Sequence, residues 1–543
     1  MFAVVRITIR YFFIALCALW CISALSGCKT KEEYKIQADK EVYSIIDNKW
    51  SDEFGEKVNY TVSDVEPSPN DIRLDVPAAK TGIISLAEAV AIATASNREY
   101  QTQKEELYFQ ALDLTLVRHD FARQWFGTID GKYLKEGEGR NSSGDREEQL
   151  NADTELGFEQ LLADGAFITT SIAVDWARFL TGDPRTTLAS VLRTTVTVPL
   201  LRGSSRDVVQ EQLTQAERNA LYQIRTFNRF RKTFVVTIVS GYYRVLQQNN
   251  VVTNAWNNYQ RRVELRKRSE KEAETGRTPW FEVDQAEQRE LDARDRFISE
   301  EQRYKQRLDE FKILLALPTD ADVDLDSNEL KALEEIGISQ PEYSQEMAVE
   351  TGLLGRLDLA NSADRVEDAV RKIVVAIDGL DGGLNLVGGL NVASAGKTNY
   401  GKLEFERGIY SLGVESDLPL DRKEERNIYR ESLILLEQIR RDYQEAEDRV
   451  KLQVRQSYRE LDEAAKLYKI RKIGLELARK RVESMPMLLK TGRAKTRDVL
   501  ESQDALIEAE NALTAALVDH TIAKLNFFSD IGVLQVAPDG MWK

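Results

Sequence analysis

The 543-residue sequence predicts a mainly α-helical fold with an inserted β portion, built as two similar halves. Three observations predict it. A set of motifs recurs once along the chain. Two helical patterns run far longer than a compact globule needs. Between the helices the hydrophobic period drops to two, the period of strands.

Composition narrows the function. The formal net charge is −15, with 74 Lys and Arg against 89 Asp and Glu. That balance argues against a nucleic-acid partner, which demands a basic face. Two histidines leave little room for histidine-based metal sites or catalysis. A mean hydropathy of −0.40 excludes a polytopic helical membrane protein. It does not exclude a β-barrel, whose apolar face is hidden in alternating strands.

Residues 1–27 have the layout of a signal peptide. Arg6 and Arg10 precede an uncharged apolar run that extends to Leu25. The run ends Leu25-Ser26-Gly27-Cys28, which resembles the bacterial lipoprotein signal. The resemblance implies that Cys28 becomes the lipidated first residue of the mature chain. Cys17 and Cys21 leave with the signal, so no thiol remains for a disulfide or a nucleophile. The mature chain keeps 72 Lys and Arg against 89 Asp and Glu. Several acyl chains anchor stably, at ~0.8 kcal/mol per buried methylene. Lys29 follows the cysteine in place of the aspartate that retains lipoproteins in the inner membrane, which implies the outer membrane.

Residues 28–84 are polar, contain Pro67, Pro69 and Pro77, and read as a tether or irregular arm. The first repeat spans 85–318 and the second 348–534. Residues 319–347 join them, and 535–543 form a C-terminal tail. Thr275-Gly276-Arg277 recurs as Thr491-Gly492-Arg493, and at the same offset Val283 meets Val499, Ala293 meets Ala509 and Phe311 meets Phe527. Arg262-Val263-Glu264 recurs as Arg481-Val482-Glu483. Pro199-Leu200 with Arg202 recurs as Pro419-Leu420 with Arg422.

Each repeat therefore reads as helix, extended segments, Pro-Leu, very long helix, turn and shorter helix. The long helices cover 205–275 and 423–490, about 106 and 102 Å at 1.5 Å per residue. The returning helices cover 280–316 and 496–531. The second long helix carries a narrow apolar stripe through Tyr443, Val450, Val454, Tyr458, Leu461 and Ala465. Tyr443, Val454 and Ala465 are 11 residues apart, which favours straight packing over a left-handed coil. Helices apolar on one stripe and charged elsewhere suit the wall of a hollow tube. A plain coiled-coil rod fits the same periodicity. Pro486, near the end of that helix, either kinks it inward or breaks it.

The segments 384–394 and 409–418 have the length of membrane-spanning strands, ~9–11 residues. In the second, Leu412, Val414 and Leu418 alternate with small or polar residues. The first repeat has four extended segments, 125–134, 154–162, 166–176 and 187–199, where two would match. The region 137–151 between them reads as a loop. The extra pair fits an extracellular hairpin, and a soluble β-subdomain is the competing reading. Trp125, Trp176 and Tyr410 suit an interfacial aromatic girdle.

The two-fold plan, Pro199-Leu200-Leu201-Arg202-Gly203, Thr491-Gly492-Arg493 with Asp498-Val499-Leu500-Glu501, and the repeat starts Asn97-Arg98-Glu99-Tyr100 and Gly355-Arg356-Leu357-Asp358-Leu359 together resemble the TolC family of outer-membrane efflux proteins. The resemblance covers residues 85–534. It implies a homotrimer in which each chain gives four strands to one 12-stranded barrel, continued into a long α-helical tunnel. The sequence itself holds no nucleophile–base, metal-ligand or phosphate-loop constellation, so no enzymatic activity, cofactor or metal is expected. The implied partners are outer-membrane lipid, a periplasmic adaptor and an inner-membrane pump of RND, ABC or MFS type.

By the same resemblance, Thr275, Gly276, Arg277, Thr278 and Pro279 form one hairpin tip. Thr491, Gly492, Arg493, Ala494, Lys495 and Thr496 form the other, and the tips dock the adaptor. Pro199 and Pro419 mark the barrel-to-helix transitions. Asp498 and Glu501 become two acidic rings at the periplasmic entrance, the second a glutamate where the family has aspartate. Glu282 matches an acid that bonds a tip arginine to hold the channel shut. The matching arginine position is Ala494 here, so Arg493 and Arg497 are the candidates for that lock. The alternative to a channel is a periplasmic coiled-coil structural lipoprotein, which has no use for paired strands of membrane length.

Overall fold

The structure is a computed structural model that describes residues 29–51, 54–55, 57, 59–62, 82–135, 148–179, 186–338, 344–395, 401–491 and 493–536. The signal segment and Cys28 lie outside the described residues. The arm before the first repeat contains α1 (Lys31–Lys49) and β1 (Ile83–Ile84), and the repeat itself α2 (Leu86–Ser96), α3 (Arg98–Asp120), β2 (Gln124–Lys135), β3 (Glu148–Leu161), β4 (Phe167–Phe179), β5 (Thr186–Pro199), α4 (Arg206–Val209), α5 (Glu211–Glu274) and α6 (Trp280–Leu314). There follow β6 (Asp324–Leu325), α7 (Asn328–Ile336), α8 (Gln345–Gly355), α9 (Leu357–Asp378), β7 (Gly383–Ala393), β8 (Ile409–Asp417), α10 (Lys423–Lys490) and α11 (Thr496–Asp530).

The chain divides into two compact units. One holds Met1–Trp50, Tyr108–Leu221 and Val374–Arg426; the other holds the remainder. The first unit is built on a six-stranded antiparallel sheet in the order β2-β3-β4-β5-β7-β8. All five pairings keep one register without a bulge. The expected four strands per chain are thus exceeded. β2 and β3 are not a hairpin apart from the sheet; they extend it at one edge. β3 begins at Glu148, so the loop expected over 137–151 gives up its last residues to a strand.

The registers sort the side chains onto two faces, because successive residues of a strand point opposite ways. One face carries Trp125, Ile129 and Tyr133 of β2, Leu150, Leu156 and Phe158 of β3, and Ile168, Ile172, Val174 and Trp176 of β4. It continues through Leu188, Leu192, Val196 and Val198 of β5, Leu384, Leu386, Leu390 and Val392 of β7, and Tyr410, Leu412 and Val414 of β8. The other face is mainly polar: it carries Asp130, Lys132, Asp153, Glu155, Glu159, Asp175, Arg193, Asn385, Asn391, Glu415 and Asp417, with Phe126, Phe167, Val191, Val387 and Ile409 among them.

Residues 28–84 were expected to be irregular, yet Lys31–Lys49 is a helix. Thr30 accepts from the Glu33 amide while Glu33 bonds back to the Thr30 amide, a reciprocal cap that starts it. Val42, Ile45 and Ile46, spaced three and four apart, are buried. Tyr108 donates to Asp39 at 2.7 Å, and Lys49 reaches Glu217 at 2.5 Å. Burial alone raises the Glu217 carboxyl, but Lys49 and Arg118 together hold it below its ordinary value.

In the second unit each repeat opens alike. An 11-residue helix, α2 or α8, ends at one extended residue, Asn97 or Arg356, before the next helix starts. Asn97 stitches its break, donating to Leu314 O at 2.8 Å and accepting from the Tyr100 amide. Tyr100 then packs against Phe227, Phe230 and Phe234. The stripe read in α10 is its buried face: Val450, Val454 and Leu461 pack with Ala348, Leu359, Phe527 and Ile531.

The helix expected over 205–275 is interrupted early. A four-residue turn of helix, α4, stops at Gln210, whose φ of −89° and ψ of 2° leave the helical region. α5 then runs for 64 residues. α10 runs its expected 68 residues straight through Pro486, so that proline does not break it. Among the described residues no helix is long and apolar enough to cross a membrane.

Candidate functional site

The two helix turns share hydrogen bonds at matching positions. Thr275 Oγ1 donates to the carbonyls of Lys271 and Glu272, and Thr491 Oγ1 donates to those of Met487 and Leu488. The amide of Arg277 reaches Glu272 O at 2.9 Å, and that of Arg493 reaches Leu488 O at 2.9 Å. These bonds satisfy the carbonyls that a helix end leaves open. Gly276 makes the reversal at φ +70°, where a side chain is strained. Gly492 lies outside the described residues.

Returning helices start alike too. Pro279 is the cap of α6, accepting from the Glu282 amide at 3.0 Å, and Lys495 is the cap of α11, accepting from the Asp498 amide at 2.9 Å. Proline costs nothing there, because the first amides of a helix lack intrahelical partners. Arg277, Thr278 and Ala494 complete the turns.

The acidic pair behaves unequally. Asp498 is half-buried and accepts from the Lys495 amide at 2.8 Å, so its carboxylate closes the start of α11. Glu501 is exposed and takes the Arg497 guanidinium at 2.6 Å. That contact holds the Arg497 guanidinium above its ordinary value. Within this single chain, and among the described residues, no ion pair joins Glu282 to Arg493 or Arg497.

Above the turns, a ladder of polar contacts joins α5 to α11. Arg244 meets Asp519 at 2.6 Å, Asn254 meets Asn511 at 2.7 Å, and Arg262 meets Asp504 at 2.6 Å. Arg262 is 2% exposed, and among the described residues its Nη1 has no hydrogen-bond partner. The sequence marked Arg262 only as part of a repeated motif. Its partner was invisible because Asp504 lies more than 200 residues away.

A second charged cluster sits where α5, α9, α10 and the end of α11 meet. Arg356 bonds Asp358 and Gln453, and Arg229 pairs with Asp530 at 3.4 Å. Burial raises the Asp358 carboxyl, but Arg356 overrides it and holds it low. Burial wins at Asp530, whose carboxyl stays high. Beside it, a cavity of about 180 Å³ is lined by Phe54, Asn228, Arg231, Lys232 and Val533. Lys232 donates to Gly532 O at 2.9 Å, and burial with Arg229 and Arg231 nearby pushes its amine down to about 8.

In the sheet unit, the residues after Pro199 and Pro419 bind back onto the sheet. Leu200 N reaches Leu384 O at 2.7 Å, and Arg202 pairs with Asp417 at 3.3 Å. Arg422 bonds the Leu380 carbonyl, and Gly203 N donates to Asp378. Arg202 thus holds the end of β8, and Arg422 holds the turn that leads into β7. Among the described residues no group of three metal-ligating side chains occurs.

No family model and no curated protein matches the sequence. Solved structures do. The chain is similar to CusC, a transmembrane channel, with a TM-score of 0.58 at 13% identity over 88% of this chain and 99% of that one. It is similar to the outer membrane channel CmeC of Campylobacter jejuni, with a TM-score of 0.57 at 13% identity over 82% and 85%. It is similar to the open state of the outer membrane channel MtrE of Neisseria gonorrhoeae, with a TM-score of 0.58 at 13% identity over 87% and 96%. The chain has the fold of these outer-membrane channels, which is the fold the TolC-type resemblance implies. The proteins sharing it are channels, not enzymes.

Proposed function

We propose that this chain is the outer-membrane exit duct of a tripartite efflux or type I secretion system. Copies assemble as a homotrimer, anchored by lipid at Cys28. The observation that carries the reading is the six-stranded sheet with one continuous apolar face and one mainly polar face that holds the carboxylates, in a chain with the channel fold. Lipid accepts the first face and an aqueous lumen the second. A structural tether needs neither.

The turn residues 275–279 and 491–496 present the surface that an adaptor docks on, beneath an inner-membrane pump of RND, ABC or MFS type. Glu501 from each copy supplies a carboxylate ring at the entrance, which attracts cations and repels anions. Asp498 contributes from its capping position. Glu282 restrains the closed state by meeting Arg493 between copies, a contact outside the single chain.

Planar-bilayer conductance of the purified protein, with its assembled mass, tests the reading. The expected result is a conducting trimer. A monomer without conductance refutes it. Conductance of a Glu282→Ala channel equal to that of the parent removes the lock.

A further inference from the structure

We infer that β2 and β3 belong to the membrane wall, and that β2 of one copy pairs with β8 of the next, so each copy supplies six strands. This rests on the channel reading. It departs from the four strands that the resemblance implies.

The registers place the extra pair at the level of the rest. One row crosses all six strands: Trp125 opposes Phe158, then follow Thr170, Thr194, Leu390 and Tyr410. An extracellular hairpin stands beyond the ends of the other strands, but β2 and β3 stand beside them. Their apolar spans match too. Residues 125–133, 150–158, 168–176 and 384–392 each cover nine positions, 188–198 covers eleven, and β8 as a whole is nine residues long. Nine to eleven residues is what a tilted strand needs to cross a bilayer, ~9–11.

Charge on the apolar face is confined to one end. There Lys135 and Glu148 oppose each other and bond at 2.7 Å, beside Arg178. On the opposite face Asp130, Asp153 and Asp175 stand directly opposite one another across β2, β3 and β4. Like charges so placed repel. A wet face tolerates them and a packed one does not. The extra strands therefore follow the same lipid-to-lumen polarity as the other four.

The edges identify the partner. Hydrocarbon supplies no hydrogen bonds, so a membrane sheet keeps no open edge. Five successive antiparallel pairings leave β2 and β8 pointing in opposite directions. A second copy set beside the first continues the alternation, β8 against β2. Neither edge carries a proline and neither strand is bulged, and the charges in mid-strand, Asp130 and Lys132 on β2 and Glu415 on β8, lie on the polar face, so the apolar side of both edges is open to pairing. β8 is exposed along its whole length. Three copies give eighteen strands instead of twelve, and a wider lumen, because barrel diameter grows with strand number.

The test is cysteine pairing in full-length protein in outer membranes. Ser411→Cys on β8 is combined in one chain with Phe126→Cys, Thr128→Cys or Asp130→Cys on β2, because the register between copies is free to shift. A second set combines Ser411→Cys with Phe167→Cys or Thr169→Cys on β4, the strand that would form the edge if β2 and β3 left the wall. Cross-strand neighbours meet disulfide geometry only when directly paired. The expected result is oxidation to covalent trimers in at least one β2 combination, none in the β4 set, and none in single-cysteine chains. Trimers from the β4 set, or assembled conducting trimers that cross-link in neither set, overturn the six-strand wall and leave the channel reading standing. Monomeric, non-conducting protein overturns both.

Discussion

Removing the Asp504 carboxylate strands a buried charge, and the cost follows from the geometry. Arg262 is 2% exposed, its Nη2 reaches Asp504 Oδ1 at 2.6 Å, and its Nη1 has no partner among the described residues. In Asp504→Ala the guanidinium keeps only a 3.3 Å contact to Leu500 O. Breaking a fully buried pair costs about 3–5 kcal/mol, and losing one charged hydrogen bond costs about 1.5–3 kcal/mol. The Asp504 side chain is 35% exposed, so water screens part of the attraction. The expected loss is therefore about 2–3 kcal/mol, between those limits. Arg262→Met with Asp504→Ala removes charge and partner together, and should recover most of that loss. The assay is denaturant unfolding followed by far-UV circular dichroism, as a double-mutant cycle. Glu445→Ala is the control: it breaks the exposed pair with Arg449 on α10, worth ~0–1 kcal/mol. If Asp504→Ala shifts the midpoint no more than Glu445→Ala does, the burial argument is wrong.

Lys232 should make stability climb in alkali. Its folded pKa is pushed down to about 8 while the unfolded chain holds its proton to 10.5, so between those values the unfolded state binds more protons. Stability rises with pH across that window by on the order of 3 kcal/mol, and Lys232→Met should flatten the rise; equal slopes in the two proteins would count against it. Two glycines should respond oppositely to alanine. Gly532 has φ +81° and its added Cβ would lie 2.6 Å from Gly355 O, so Gly532→Ala should cost about 1–3 kcal/mol in thermal unfolding. Gly474 faces open space in α10, so Gly474→Ala should stabilise by about 0.5–1 kcal/mol. Adjacent residues on β3 should also separate. Leu156→Arg puts a charge on the apolar face and should cost about 2–4 kcal/mol of barrel stability, whereas Glu155→Arg on the polar face should alter ion selectivity with little loss. Comparable losses at both positions would remove the lipid-facing assignment.

Helices were the most legible part of this chain. Their stripes are long and their stops are chemically marked. Thr491 ends α10, and the predicted span of 423–490 for that helix is the observed one; the cap at Lys495 starts α11. α1 was missed because its buried set is three residues within a charged stretch. Its cap, Thr30 with Glu33, was the available signal. At the tips, the resemblance gave Asp498 and Glu501 the same duty, and the structure separates them. One bonds the backbone of its own helix start, and the other an arginine one turn away. Contacts such as Arg262 with Asp504 cross from one repeat to the other, so no local pattern announces them.

The extra strand pair was hardest to place, and the reason is physical. Period-two alternation in β2 and β3 is diluted by Gly127, Gly131, Ala152 and Thr154 on the very face that is otherwise apolar. Read singly, each strand is weak, and a soluble subdomain explains it equally well. Register removes that equality. A soluble sheet buries its apolar face under another layer, yet Trp125, Ile129, Leu156 and Ile172 are 66%, 68%, 56% and 46% exposed, and Leu412 at the far edge is 77% exposed. Large apolar side chains left open in a continuous patch mark a surface made for lipid or a partner. The polar face cannot be that covered surface, because its aspartates oppose one another in register. Mean hydropathy averages the two faces and so reads as merely polar. The separation exists only across strands, in a dimension that a one-dimensional average does not contain.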